Sequence, residues 1–451
     1  MKKLFCMLIV ALATPLLGGC LDNGSSAPPP PWLPSTEGDG RVKLEWIATP
    51  GVDYWLFTAT DPSLTAFNWT GLPNAHAYAN AATPFYMCGL IDDTAYYFAT
   101  NGRTGGGPGG SSSPTISAMP YNASTSSHWR ASTTPPTQDV YGVGYTSLTT
   151  CSNNATSATG SFAAVGAGGA IFTSSDGKIW NTRTSPLSTD LYAVTGYAAN
   201  QNNPANPARR WVAVGAGGAS VYSLDDTSWT NGATYDSAKP ALRSITHVAG
   251  TFTAVGDLGT ILSTTDGITW APHSSDLTSS PLPNLNGVTH GAIYVAVGDN
   301  GTILTSADGN SWKAKTPATP IAGNLRQVTF FGSTYGSIYV AVGDAGTIVT
   351  SIDGGATWIT QTAPAGSPNL VGITAESRAV DTTTAVADPS LNFISTAQFV
   401  AIDSTGNAYT SVNGYNWSPA IPTGATSLNA LVSSGFGYVA AGNANFAAYA
   451  F

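Results

Sequence analysis

Residues 296–312 read AVGDNGTILTSADGNSW. An apolar alternation runs up to Gly298, a short polar turn follows, and Thr302–Ser306 resumes the alternation. A second turn holds Asp308 and Gly309, and Trp312 closes the stretch. This is the pattern of two strands joined tightly, because successive residues on a strand point to opposite faces. Val295 and Val297 share one face, with Ala296 on the other. Gly298 and Gly301 are expected to bracket the turn where a positive φ is needed. Ser306 and Asp308 can hydrogen-bond turn amides, and Trp312 can cover the gap to a neighbouring sheet.

The stretch recurs. Its cores are FAAVGAGGAIF from Phe162, WVAVGAGGASV from Trp211, FTAVGDLGTI from Phe252, YVAVGDNGTI from Tyr294 and YVAVGDAGTI from Tyr339. Weaker copies are FVAIDSTGNAY from Phe399 and YVAAGNANFAAY from Tyr438. A turn and a tryptophan follow the first six, at Trp180, Trp229, Trp270, Trp312, Trp358 and Trp417. The tryptophan missing from the seventh copy lies upstream: SSHWRASTTPPTQDVYGV around Trp129 matches the order of SWKAKTPATPIAGNLRQV around Trp312. The expected fold is therefore all-β. Residues 126–451 should form a seven-bladed β-propeller whose last blade borrows its outer strand from residues 126–132. A four-stranded blade cannot bury both faces alone, and closure by an N-terminal strand removes the exposed edge.

Only 9% of the 451 residues are charged, while 50 glycines and 29 prolines suit short strands and many turns. The net charge of −9 argues against nucleic acid or an anionic membrane surface as partner. At the N-terminus, Lys2 and Lys3 precede the apolar run Leu4–Leu17, then Gly18, Gly19 and Cys20. This resembles the bacterial lipoprotein leader, which implies removal of residues 1–19 and a lipid anchor on Cys20. Leu21 after the cysteine points to the outer membrane of the cell envelope under enterobacterial sorting. Residues 20–40 are rich in Pro, Gly and Ser and are expected to be a tether. Cys88 and Cys151 then remain in an oxidising compartment, where one disulfide and two separate thiols are both open.

Residues 41–118 should form a small N-terminal β-sandwich. VKLEW, GVDYWLFTA and GLIDDTAYYFATNGRTG resemble a fibronectin type III domain, which implies a buried Trp46 and a corner tyrosine at Tyr96 or Tyr97. Ser351–Trp358 resembles the Asp-box of sialidase-like propellers, with Ser351, Asp353, Gly355 and Trp358 as elements of the fold. The GTI–SxDG–W series is similar to the photosystem II assembly and stability factor family. That resemblance implies an extracytoplasmic propeller that holds or helps assemble another protein.

Candidate sites are few. Asp257, Asp299 and Asp344 occupy one turn position on consecutive copies and would form an acidic arc able to take Ca²⁺ or a basic partner. Tyr121, Tyr141, Tyr145 and Tyr415 are polar aromatics that could stack on sugars. The enlarged connections 147–160, 198–210, 331–337 and 376–396 crowd the opposite face and could serve a partner. Sialidase-like hydrolysis needs converging arginines and paired carboxylates, yet Glu376 is the sole glutamate of the repeat region. The histidines and cysteines show no metal or triad spacing. The expected function is thus a non-catalytic, lipid-anchored envelope protein that binds or assembles another protein without a cofactor. The alternatives are a carbohydrate-binding surface protein and a glycoside hydrolase.

Overall fold

The computed structural model describes residues 25–38, 41–88, 90, 94–120, 129–146, 160–198, 209–232, 240–317, 319–333, 336–377, 397–434, 437–443 and 445–450. Cys20, Tyr121, Cys151 and most of the 376–396 connection lie outside them, as does the side chain of Cys88. The chain divides into two compact units, one holding residues 25–120 and the other residues 129–450. Among the described residues no helix is long and apolar enough to cross a membrane.

The smaller unit packs two sheets face to face. One joins Ser25–Ala27, Asp53–Ala59, His76–Ala81, Tyr96–Thr104 and Ile116–Ala118, and the other joins Thr36–Gly38, Arg41–Leu44 and Phe85–Cys88. Val42, Leu44, Trp46, Leu56, Phe85 and Phe98 fill the space between them. Tyr96 is buried in the same core, while Tyr97 packs on a second cluster around Phe57. The expected tether is corrected here. Ser25–Ala27 pairs with Gly102–Thr104, and Thr36–Gly38 with Arg41–Lys43. Between these strands Trp32 stands edge-on to Trp46, with ring centroids 5.7 Å apart. Its Nε1 donates to Ser113 Oγ at 3.2 Å and to the Pro114 carbonyl at 3.1 Å. Proline runs stay extended, and an extended segment with one large aromatic can be recruited to a sheet.

The larger unit contains, among the described residues, seven four-stranded antiparallel arrays, the fourth of which gains a fifth strand. Their first strands are Val140–Thr146, Leu191–Ala198, Leu242–Val248, Leu285–His290, Leu325–Ser333, Leu370–Ser377 and Leu428–Ser433. In the seventh array the outer strand is Arg130–Ala131, which pairs with Ala448 and Tyr449. The added strand in the fourth array, Ser274–Ser275, runs parallel to Ser311–Trp312 and covers that edge. The first strand of each sheet packs on the first strand of the next, and Leu428–Ser433 packs on Val140–Thr146.

The repeated tryptophans stitch neighbouring sheets. Trp358 is buried among Val295, Val297 and Ile303 of the fourth sheet and Tyr339 and Val349 of its own. Trp180, Trp229, Trp270 and Trp312 do the same in their own sheets, Trp417 is partly buried in the equivalent place, and Trp129 is buried in the seventh array. In the turn Ser351–Trp358, Ser351 Oγ donates to Asp353 Oδ1 and accepts from the Gly355 amide. Asp353 accepts from the Ala356 and Thr357 amides and the Thr357 hydroxyl. Trp358 Nε1 donates to the Gly355 carbonyl at 3.2 Å. Ser174/Asp176, Thr264/Asp266, Ser306/Asp308 and Ser411/Asn413 repeat the scheme.

One glycine is needed for a different reason than expected. Gly301 has φ +67°, and Asn300 before it takes φ +55°. Gly298, however, is extended. A Cβ there would run into the carbonyl of Asn284, the residue before the first strand of the same sheet. Gly166, Gly215, Gly256, Gly343 and Gly442 meet the corresponding carbonyl in their sheets.

Candidate functional site at the bulged ends of the first strands

Each first strand of the larger unit opens with a fully buried apolar residue: Val140, Leu191, Leu242, Leu285, Leu325, Leu370 or Leu428. The residue after it has no partner in the ladder, because the register slips by one at that point in all seven sheets. A bulge re-aims the extra side chain and strengthens the local twist. Here the extra residues are Tyr141, Tyr192, Arg243, Asn286, Arg326, Val371 and Asn429. Together they line one cavity of about 450 Å³. The turns carrying Asp257, Asp299 and Asp344 stand beside its mouth, so the acidic arc and the bulged residues form one rim.

On that rim, charge is organised within each sheet. Arg243 Nε donates to Asp257 Oδ1 at 2.5 Å. Arg326 donates from Nε and Nη2 to the two oxygens of Asp344, both at 2.8 Å, a forked arrangement that fixes the guanidinium plane. This bond, ahead of the opposing effect of burial, raises the Arg326 pKa above its usual value. Asn286 Nδ2 bridges Asp299 Oδ1 at 2.9 Å and the Leu325 carbonyl of the next sheet at 3.0 Å. Asn284 and Asn324 supply further amide donors to Asp299 and Asp344. A Ca²⁺ ion on this arc would have to displace those donors. Among the described residues no three His, Cys, Asp or Glu side chains are grouped to hold a metal.

The first two sheets differ. Their turns carry alanine, Ala167 and Ala216, where the next three carry aspartate. Their bulged residues are Tyr141 and Tyr192, whose rings lie 5.9 Å apart at 49°. The carboxylates on this side come from Asp139 and Asp190, immediately before the strands. Asp190 Oδ1 accepts the Gly168 amide at 2.8 Å. Desolvation first, then the charges of Asp190 and Asp139, raise the Tyr141 pKa. On the other flank Asn429 Nδ2 donates to the Val140 carbonyl at 2.9 Å.

The remaining candidates separate from this rim. Tyr145 lies on Phe162 with centroids 4.6 Å apart, and Tyr415 packs against the core of the fifth and sixth sheets. Arg183 is bonded to Thr173 Oγ1 and Arg210 to the Asp266 carbonyl, so these two do not join Arg243 and Arg326 at the cavity. Glu376 is buried at the far end of its strand and accepts from Ser433 Oγ. Sequence reading found the aspartates and Tyr141 but missed the cavity. The available signal was a correlation between copies: [V/L]-Y goes with a GAGG turn, and L-[R/N] with a GDxG turn.

Repetition of four-stranded antiparallel sheets that pack through their first strands is the architecture of the β-propellers, and the larger unit has that fold. Its solved neighbours include "YCF48 bound to D1 peptide", at 16% identity and TM-score 0.50, covering 74% of this chain and 96% of that one. "YCF48 from Cyanidioschyzon merolae" aligns at 14% identity and TM-score 0.50, covering 71% of this chain and 98% of that one. At these identities the likeness speaks to the fold. No protein-family model matches the chain, and no curated protein matches it in sequence.

Proposed function

We infer that residues 129–450 form a seven-bladed propeller closed by Arg130–Ala131, and that it is a non-catalytic scaffold binding another protein at the mouth of its cavity. The observation that carries this reading is the rim. Seven bulged side chains converge on one cavity, and Arg243, Asn286 and Arg326 are held in place by aspartates of their own sheets, Asn429 by a carbonyl of the neighbouring one. Preorganised polar groups around a concavity favour binding, since little ordering is left to do when a partner arrives. Packing of the seventh sheet on the first supports closure. The neighbour solved with a D1 peptide is a propeller of similar extent, which is consistent with a protein ligand here.

The lipoprotein-like leader places the scaffold in a bacterial envelope, anchored through Cys20, with the outer membrane as the expected site. The smaller unit reads as a fibronectin type III-like domain. Its sheet orders, Thr36–Gly38 to Arg41–Leu44 to Phe85–Cys88 in one sheet and His76–Ala81 to Asp53–Ala59 to Tyr96–Thr104 in the other, support that reading.

The test is crosslinked capture from the native envelope with quantitative mass spectrometry. The bait is the wild-type chain, with Arg326→Ala/Asp344→Ala and Cys20→Ala beside it. A stoichiometric protein captured by the wild type and lost with the rim variant is expected. No protein enriched by the wild type would overturn the scaffold. Cys20→Ala should leave the membrane fraction. The half-exposed Tyr141–Tyr192 pair favours a second reading as a glycan site, which a glycan array separates: saturable binding abolished by Tyr192→Leu would establish it.

A further inference from the structure

The rim is not uniform, and its asymmetry identifies what the partner brings to it. On the side of the third to fifth sheets, Arg243 and Arg326 are each satisfied by an aspartate of the same sheet, and the amides of Asn284 and Asn286 occupy Asp299. On the side of the first two sheets the wall is aromatic, made by Tyr141 and Tyr192. Asp139 and Asp190 stand two positions before these two residues in sequence, half-buried. Among the described residues no lysine or arginine pairs with Asp190. The nearest cation on the rim in chain order, Arg243, belongs to the next sheet and is engaged by Asp257.

We propose that the Tyr141–Tyr192 side of the cavity receives a basic side chain, a lysine or arginine of the docking protein, stacked on the tyrosine faces with Asp190 as its counter-charge. This rests on the scaffold reading and narrows it. An aromatic face attracts a cation through its quadrupole, and the attraction grows as water is excluded. A carboxylate at the edge of such a face adds a directional charge-assisted hydrogen bond. Desolvation first, and then the charge of Asp190 among others, raises the Tyr141 pKa, so Asp190 lies close enough to act on whatever meets that ring. An acidic side chain would meet that charge with the wrong sign, and an uncharged apolar one would strand the Asp190 carboxylate in a partly desolvated place. The cavity, at about 450 Å³, has room for one long side chain with its flanking backbone. The chain's overall charge of −9 would steer such a partner from a distance.

The experiment uses the full chain and immobilised acetyl-GGXGG-amide peptides with X as lysine, arginine, norleucine, citrulline or glutamate. Retention of the lysine and arginine peptides should exceed that of norleucine and citrulline by about tenfold at low salt, and glutamate should be excluded. Asp190→Asn keeps the acceptor for the Gly168 amide, so the fold is retained, and it should remove most of that preference. Tyr192→Leu should act likewise, with unchanged melting temperature as the control for folding. Equal retention of lysine and norleucine, or preference for glutamate, overturns the proposal. The captured envelope protein provides the separating arm. If it is lost with Arg326→Ala/Asp344→Ala but indifferent to Asp190→Asn and Tyr192→Leu, the scaffold stands and the basic-side-chain site falls.

Discussion

At the scale of single residues, His247 and Asp353 contribute to acid stability in two separate pH ranges. His247 lies flat on Tyr197, with ring centroids 4.4 Å apart, and burial pushes its pKa down to about 4. Its Nε2 has no hydrogen-bond partner among the described residues. Because the folded protein holds this ring neutral while the unfolded chain would protonate it near 6.5, stability is full above that value. It falls as the pH drops from 6.5 towards 4. Asp353 acts lower down. Desolvation raises its pKa, but the Thr357 hydroxyl and amide, the Ser351 hydroxyl and the Ala356 amide outweigh it and hold the carboxyl at about 2. Its stabilisation is present above 3.8 and is lost as the pH falls towards 2. Denaturant melts across pH 3 to 8 should therefore show His247→Phe flattening only the upper stage. Asp353→Ala should lose about 1–2 kcal/mol at neutral pH, the size of a lost side-chain cap, with the deficit shrinking below pH 4. A His247→Phe profile as steep as wild type between pH 6.5 and 4 would assign that stage to other groups.

At the scale of turns and strands, the structure shows which features a single sequence can carry. The strand–turn–strand–turn unit was legible because its causes are local: alternation, turn glycines, and a serine or threonine two residues before an aspartate or asparagine. The tryptophans were legible for the same reason, each falling four or five residues after the aspartate or asparagine of its turn. The cavity was not, because its lining comes from the bulged residue and its neighbours at the start of each of seven strands far apart in the chain. No local pattern marks a bulge as pointing inward. The tether was misread because Trp32 gains its place from Trp46, Ser113 and Pro114, all distant in sequence. Gly298 was read as a turn glycine with a positive φ, whereas it is extended. The reason for a glycine there, close approach to the Asn284 carbonyl, also spans two strands. That distinction can be measured. Gly301→Ala is strained by its positive φ and by Ile321, whereas Gly298→Ala must push two strands of the fourth sheet apart beside Asp299. Gly298→Ala should cost more than about 2 kcal/mol in chemical denaturation, as overpacking does. It should also weaken capture at the rim. Asn300→Gly, at φ +55°, should be neutral or stabilising by a few tenths of a kcal/mol. If Gly298→Ala proved as mild as Asn300→Gly, close approach would not be what selects glycine there.

At the scale of the whole molecule, the decisive contact is a small one. Arg130 and Ala131 pair with Tyr449 and Ala448, and Ser132 extends the link by donating its amide to the Ala447 carbonyl at 2.8 Å and its hydroxyl to the Gly177 carbonyl at 2.9 Å. Trp129 is buried beside this strand. Without these residues Ala447–Ala450 becomes an open edge of small apolar residues, a template for pairing with another chain. The sheets would still form, because each is a local antiparallel meander. What would be lost is the pairing between the beginning of the larger unit and its end, on which the cooperativity of the proposed closed array would depend. A chain starting at Thr134 is therefore expected to keep its β-sheet circular dichroism but to lose about 3 kcal/mol or more. That loss combines one buried tryptophan with the ladder bonds. It should also self-associate in proportion to concentration. Moving the sequence HWRAST, residues 128–133, to follow Phe451 through a short glycine linker offers the same strand from the other direction of the chain. Recovery of melting temperature and of the monomer in that permuted form would establish closure by pairing. Truncation that changes neither stability nor association would mean that contacts between the first strands alone close the ring.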